Sequence, residues 1–144
     1  PPGTGKTHLA YAVVQELVSR GVPGLCQSVP ELMDLLRPGG PDGGEEASRR
    51  LELVKTLDLL ALDDLGAERE TPWVTERLYI IVNARYAEML PTIVTSNSEL
   101  EELERFSGWE RIVSRLLEMC HLVAVDGPDY RKRAGERRRP RGGS

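Results

Sequence analysis

The chain is 144 residues long, which suits one ordinary domain and leaves no room for two. At 40% hydrophobic and 29% charged residues it has the balance of a globular protein in water, and its short apolar stretches exclude a membrane span. Net charge is −4, split between an acidic body of −10 over residues 1–130 and a basic tail of +6 from Arg131 onward.

In chain order, Lys6 to about Arg20 predicts a helix, with Leu9, Val13, Val14 and Leu17 at helical spacing and Gly21 and Pro23 as the stop. Gly24–Val29 follows as a short strand, and Glu31–Arg37 as a short helix begun by Pro30 and ended by Pro38. Residues 38–46, PGGPDGGEE, form a breaker-rich loop, after which Ala47–Leu57 resumes a helix. Asp58–Leu62 is too densely apolar to be half exposed and predicts a strand buried on both faces. Thr71 is placed as an N-cap with Pro72 at the first helical position, for a helix reaching about Leu90. Val74, Leu78, Ile81, Val82 and Met89 mark its apolar face. Pro91–Thr95 is the next strand, Ser98 caps an acidic helix, Trp109–Glu118 is a further helix, and Cys120–Val125 is a last strand. Strands separated by helices imply parallel pairing and an α/β layered sheet. Cys26 and Cys120 stand far apart without a CxxC partner. That excludes a cysteine scaffold or zinc site and suits a reducing, cytoplasmic compartment, as does the lack of an opening secretory signal.

The opening PPGTGKTHLA matches the end of the phosphate-loop pattern G-x-x-x-x-G-K-[ST] at Gly3, Gly5, Lys6 and Thr7. Glycines let successive N–H groups converge on an anion, Lys6 offers a mobile charge to the β- and γ-phosphates, and Thr7 offers a hydroxyl to Mg²⁺. Alone, the stretch is also compatible with a glycine-rich turn that merely opens a helix. The pattern's first glycine and its feeding strand would lie before Pro1, so the chain reads as N-terminally shortened.

Leu59–Leu62 runs into Asp63-Asp64-Leu65-Gly66, four apolar residues followed by an acidic pair. Such a strand delivers carboxylates at its C-terminal edge, where ligands bind in open α/β sheets. Asp63 is expected to hold Mg²⁺ and Asp64 to orient the attacking water. The strand at 91–95 ends in Thr-Ser-Asn, which can place Thr95 or Asn97 between the acidic pair and the γ-phosphate, or be a plain capping turn. Arg111 and Arg115 lie four apart on one helix face. Either they pair with Glu110 and Glu118, or Arg115 reaches a neighbouring subunit's phosphate.

Taken together, GTGKTHLA, LLALDDLGAERETPW, NARYAEMLPTIVTSN, RIVSRLLEMC and VDGPDYR resemble the DnaC/DnaI helicase loaders and the related IstB transposase helpers, within the AAA+ ATPases. The resemblance implies an AAA+ parallel sheet flanked by helices, here without its first strand or a lid, over residues 1–130, with 131–144 a basic disordered tail. It implies ATP with Mg²⁺ as the nucleotide, held by Gly3, Thr4, Gly5, Lys6, Thr7 and His8. Thr7 and Asp63 serve as metal ligands, and Lys6, Asp64, Asn97 and the arginine finger Arg115 are catalytic. His8, which shows no metal spacing, packs on the first helix. Arg131 falls at a nucleotide or subunit contact. The implied partners are a ring-shaped replicative helicase, single-stranded DNA and further copies of the chain, with no membrane. Arg37, Arg49 and Arg50 are candidate DNA contacts, and the tail is either a solvated end or a phosphate-backbone contact. The runners-up are a transposase helper and a nucleotide-gated module with negligible turnover, since relatives carry Glu where Asp64 stands. The resemblance also places the absent strand between Cys120–Val125 and the Thr92 strand, which leaves Cys120–Val125 without a neighbour and the chain poorly stable alone.

Overall fold

The computed structural model describes residues 5–67 and 71–125. Helix α1 spans Lys6–Ser19 and ends in a Schellman turn, with Val22 N–H on the Leu17 carbonyl and Gly21 in the left-handed region that glycine tolerates. Strand β1 is Gly24–Ser28, and Ser28 caps helix α2, Val29–Leu36, by accepting from the Glu31 amide. This cap moves the helix start two residues ahead of the expected Glu31, with Pro30 inside the first turn, where its missing N–H costs nothing. Helix α3 is Glu45–Thr56 and strand β2 is Leu59–Asp63, buried at all five positions as its composition requires.

Helix α4, Pro72–Ala87, begins as expected, with the Thr71 hydroxyl accepting from Val74 N–H at 3.2 Å. It stops before Leu90. Met89 takes a left-handed φ of 54° in a second Schellman turn and is 87% exposed, so it does not belong to the buried face with Val74, Leu78, Ile81 and Val82. Strand β3 is Thr92–Val94. The acidic segment beyond it is a 3₁₀ helix, Leu100–Arg105, with Glu99 rather than Ser98 at its N-cap position. The 3₁₀ winding, in which side chains three apart eclipse, puts Leu100 and Leu103 on one face and buries both. Helix α5 is Trp109–Met119.

The three strands form one parallel sheet in the order β1-β2-β3, Cys26 opposite Ala61 and Ala61 opposite Ile93. The expected strand at Cys120–Val125 is not formed: residues 121–125 carry no regular structure, and Leu122 and Val123 are 64% and 79% exposed. A strand needs a partner for its backbone groups, and among the described residues nothing pairs with the outer edge of β3 or with this segment.

Strand alternation divides the core. Leu60 and Leu62 face the larger layer built by α2, α3, α4, the 3₁₀ helix and α5, while Leu59 and Ala61 face α1 through Ala10 and Val14. Arg85 of α4, with no exposed surface, ties that layer to the sheet. Its guanidinium donates to the carbonyls of Val54 (3.1 Å), Leu57 (2.8 Å) and Pro91 (2.7 Å) and to the Thr92 hydroxyl (2.8 Å). Burial lowers its pKa from the ordinary arginine value, partly offset by the charge of Asp58.

Candidate nucleotide site

The same alternation that buries Leu59 and Ala61 against α1 puts Asp63 on the α1 side of the sheet, at the C-terminal end of β2. There it meets the first turn of α1. Thr7 Oγ1 donates to Asp63 Oδ1 at 3.0 Å and Oδ2 at 3.1 Å. Gly5 precedes that turn at φ 90°, and nothing lies within 4 Å of where its Cβ would be, so backbone conformation and not space selects glycine there.

Beyond β2 the chain turns sharply. Asp64 sits at φ 63°, a left-handed conformation that aspartate adopts more readily than longer side chains. Gly66 follows at φ 95°, and a Cβ there would come within 2.8 Å of Leu103 Cδ2, so the loop needs glycine for both conformation and room. Thr95, just past β3, anchors the acidic pair. Its hydroxyl accepts from Asp64 N–H at 2.9 Å and donates to the Asp63 carboxylate. The two loops are further joined by Leu65 N–H to the Thr95 carbonyl (2.8 Å) and by the Ser96 hydroxyl to the Leu65 carbonyl (2.9 Å).

Lys6 completes the arrangement by donating from Nζ to the Ser96 carbonyl at 2.6 Å and to Asn97 Oδ1 at 2.8 Å, while Asn97 Nδ2 reaches Asp64 Oδ1 at 3.4 Å. Lys6, Thr7, Asp63, Asp64 and Asn97, drawn from three separate stretches of sequence, thus form one continuous polar network through Thr95. One cation, one amide, two hydroxyls and two carboxylates can bind a polyphosphate, coordinate its counter-ion and position a water. For Mg²⁺, the pairing of the Thr7 hydroxyl with the Asp63 carboxylate is a hard oxygen set of the size that ion uses when phosphates and water complete its shell. Among the described residues no cluster of three His, Cys, Asp or Glu offers a larger cage. Cys26, on the neighbouring strand, has its thiol pKa raised by burial and then by the Asp63 charge, which keeps it protonated beside the site.

Other expected residues stand elsewhere. Gly3, Thr4, Arg131 and the basic tail lie outside the described residues. His8 is exposed on the first turn of α1. Arg115 does not join the network: it donates from Nε to Asn83 Oδ1 at 3.1 Å and lies 4.9 Å from the Tyr86 ring centre. Arg111 stacks at 4.1 Å on Tyr79, so neither arginine forms the ion pair their spacing permits with Glu110 or Glu118. Of the candidate DNA contacts, Arg37 covers Trp73 at 4.6 Å, and Arg50 is engaged by Glu46 and the Leu35 carbonyl. Trp109, which opens α5, is fully buried. The Ser96 carbonyl was not singled out from sequence, because a main-chain acceptor carries no residue-type signal.

Residues 1–138 match the family model described as IstB-like ATP binding protein. The chain is 32% identical over 133 residues to the replicative helicase loader DnaC of Escherichia coli (strain K12), covering 92% of this chain and 54% of DnaC. It is 28% identical over 141 residues to the replicative helicase loader DnaI of Bacillus subtilis (strain 168), covering 90% and 45%. A crystal structure of the DnaC helicase loader shares the fold with a TM-score of 0.69 at 32% identity, over 84% of this chain and 72% of that one. The chain spans about half the length of the curated relatives it matches. No described helix is long and apolar enough to cross a membrane.

Proposed function

The chain belongs to the IstB-like ATP binding protein family, and from that membership we propose that it is the ATP-hydrolysing module of a replicative helicase loader, acting with Mg·ATP on a ring helicase and single-stranded DNA. One observation carries the reading: the unbroken network from Lys6 through Asn97, Asp64, Thr95 and Asp63 to Thr7. In it, Lys6 exchanges the Ser96 carbonyl and Asn97 for the β- and γ-phosphate oxygens. Thr7 and Asp63 hold Mg²⁺, which supplies charge neutralisation at the phosphates when bound. Asp64 accepts a hydrogen bond from the attacking water, and Asn97 holds that carboxylate in line. Arg115 acts from one copy of the chain on the nucleotide of the next, in keeping with its having, among the described residues, no contact with its own network and no carboxylate partner. The similarity to DnaC and DnaI supports the helicase and the DNA as partners.

Titration of fluorescent ATP with Mg²⁺ tests the site. Saturable binding is expected, and Lys6→Ala weakens it roughly 10- to 100-fold by removing a charge-assisted contact. Equal affinity in the variant would overturn the assignment. Turnover stimulated by single-stranded DNA and helicase then supports the loader reading. The family's IstB-like character supports the alternative of a transposase helper, for which a transposase is the stimulating partner.

A further inference from the structure

We infer that Asn83, Tyr86 and Glu118 are positioning residues for Arg115, holding its guanidinium oriented and free of any carboxylate so that its terminal nitrogens can meet a phosphate on a second copy of this chain. The inference rests on the reading of Arg115 as a trans-acting cation.

Glu118 follows Arg115 by three residues on α5, a spacing at which opposite charges on a helix can pair. Such pairs do form elsewhere in the chain, where the acid precedes the base: Arg20 meets Glu16 at 2.6 Å, Arg50 meets Glu46 at 2.7 Å and Lys55 meets Glu52 at 2.9 Å. Arg115 makes no ion pair with Glu118, whose Oε2 accepts the Tyr86 hydroxyl. Asn83 and Tyr86 are themselves three apart on α4, so they share a face. Two such pairs meet across the α4–α5 contact and exchange partners. The tyrosine takes the acid, its ring lies 4.9 Å from the guanidinium carbon, and the neutral Asn83 oxygen accepts from Nε at 3.1 Å.

The consequence is electrostatic as well as geometric. An amide acceptor and an aromatic face orient a guanidinium without neutralising it. The hydrogen bond uses Nε and leaves the terminal amino groups, the fork that binds phosphate in a bidentate manner. Arg111, one turn earlier, has the aromatic stack on Tyr79 at 4.1 Å but, among the described residues, no hydrogen bond to fix its plane. The two arginines therefore differ in preorganisation, and Arg115 is the better held.

The test compares ATP turnover and fluorescent-ATP affinity in the full-length protein and its variants. Tyr86→Phe keeps the ring but frees Glu118 to pair with Arg115. We expect kcat to fall about tenfold with nucleotide affinity within about twofold, the loss typical of a misaligned catalytic group. Adding Glu118→Gln to Tyr86→Phe should restore most of kcat, a rescue that a merely structural role of Tyr86 would not show. Asn83→Ala should lower kcat similarly, with unchanged affinity. If Arg115→Ala leaves kcat intact, the trans-acting reading itself fails. If Arg115→Ala abolishes turnover while Asn83→Ala and Tyr86→Phe do not lower it, or Glu118→Gln gives no rescue, the positioning inference is overturned and the trans-acting reading survives.

Discussion

Thr95 shows how much of the site rests on one small side chain. A single hydroxyl accepts from the Asp64 amide and donates to Asp63, so it fixes both the left-handed turn at Asp64 and the rotamer of Asp63. Valine has the same shape without the hydroxyl, and it would leave the Asp64 N–H unpaired beside a carboxylate that keeps only its Thr7 donor. Thr95→Val is therefore expected to lower ATP turnover roughly 10- to 100-fold, in proportion to the loss of one or two charge-assisted hydrogen bonds. Thr95→Ser should retain most of it, and steady-state hydrolysis by the two variants decides the matter. Sequence alone left Thr95 and Asn97 as alternatives for one task, and the structure gives both a place: Thr95 holds the acidic pair, and Asn97 joins it to Lys6.

At the level of elements, α4 shows local chemistry succeeding at one end and tertiary structure deciding the other. Thr71 and Pro72 start the helix by capping and fixed φ, both properties of the residues themselves. Its C-terminus is a Schellman turn with Met89 where glycine is usual, and no sequence signal marks it. Because Met89 is almost wholly exposed, Met89→Gly removes left-handed strain with little packing loss and should stabilise the chain by about 1 kcal/mol. Chemical denaturation would show this as a raised midpoint with an unchanged slope. Arg85, one turn earlier, should behave oppositely. Arg85→Met leaves the carbonyls of Val54 and Leu57 without that donor and Pro91 with the Leu60 N–H alone, and is expected to cost on the order of 3 kcal/mol, measured in the same way. An arginine in an apolar helix reads as a surface residue until the ends of α3 and β3 are seen to converge on it.

For the molecule as a whole, the decisive feature is a three-stranded parallel sheet whose β3 edge is unpaired among the described residues, with Cys120 Sγ on the Thr92 carbonyl at 3.8 Å leading into an irregular segment that bears Leu122 and Val123. Parallel sheets are ordinarily covered, and an open edge beside exposed apolar side chains invites association. The 144-residue chain is therefore expected to show a sedimentation mass that rises with concentration. Leu122→Lys with Val123→Lys should shift it toward monomer without lowering the denaturation midpoint. A monomer at every concentration would count against this account.

What the sequence by itself determined are the features set by residue chemistry and short spacing. The glycine-flanked Lys6 and Thr7, the apolar run delivering Asp63 and Asp64, the capped start of α4 and the alternation that makes the sheet parallel were all legible before any fold was known. Only the tertiary structure decided the rest. It brought Lys6 onto Asn97, let Thr95 gather both acids, turned 100–105 into a 3₁₀ helix, left 121–125 without a strand, and gave Glu118 to Tyr86 instead of Arg115. The reason is common to all of these. Each depends on which partner a polar group, an apolar face or a strand edge finds across the chain, and that competition is settled by packing between elements distant in sequence.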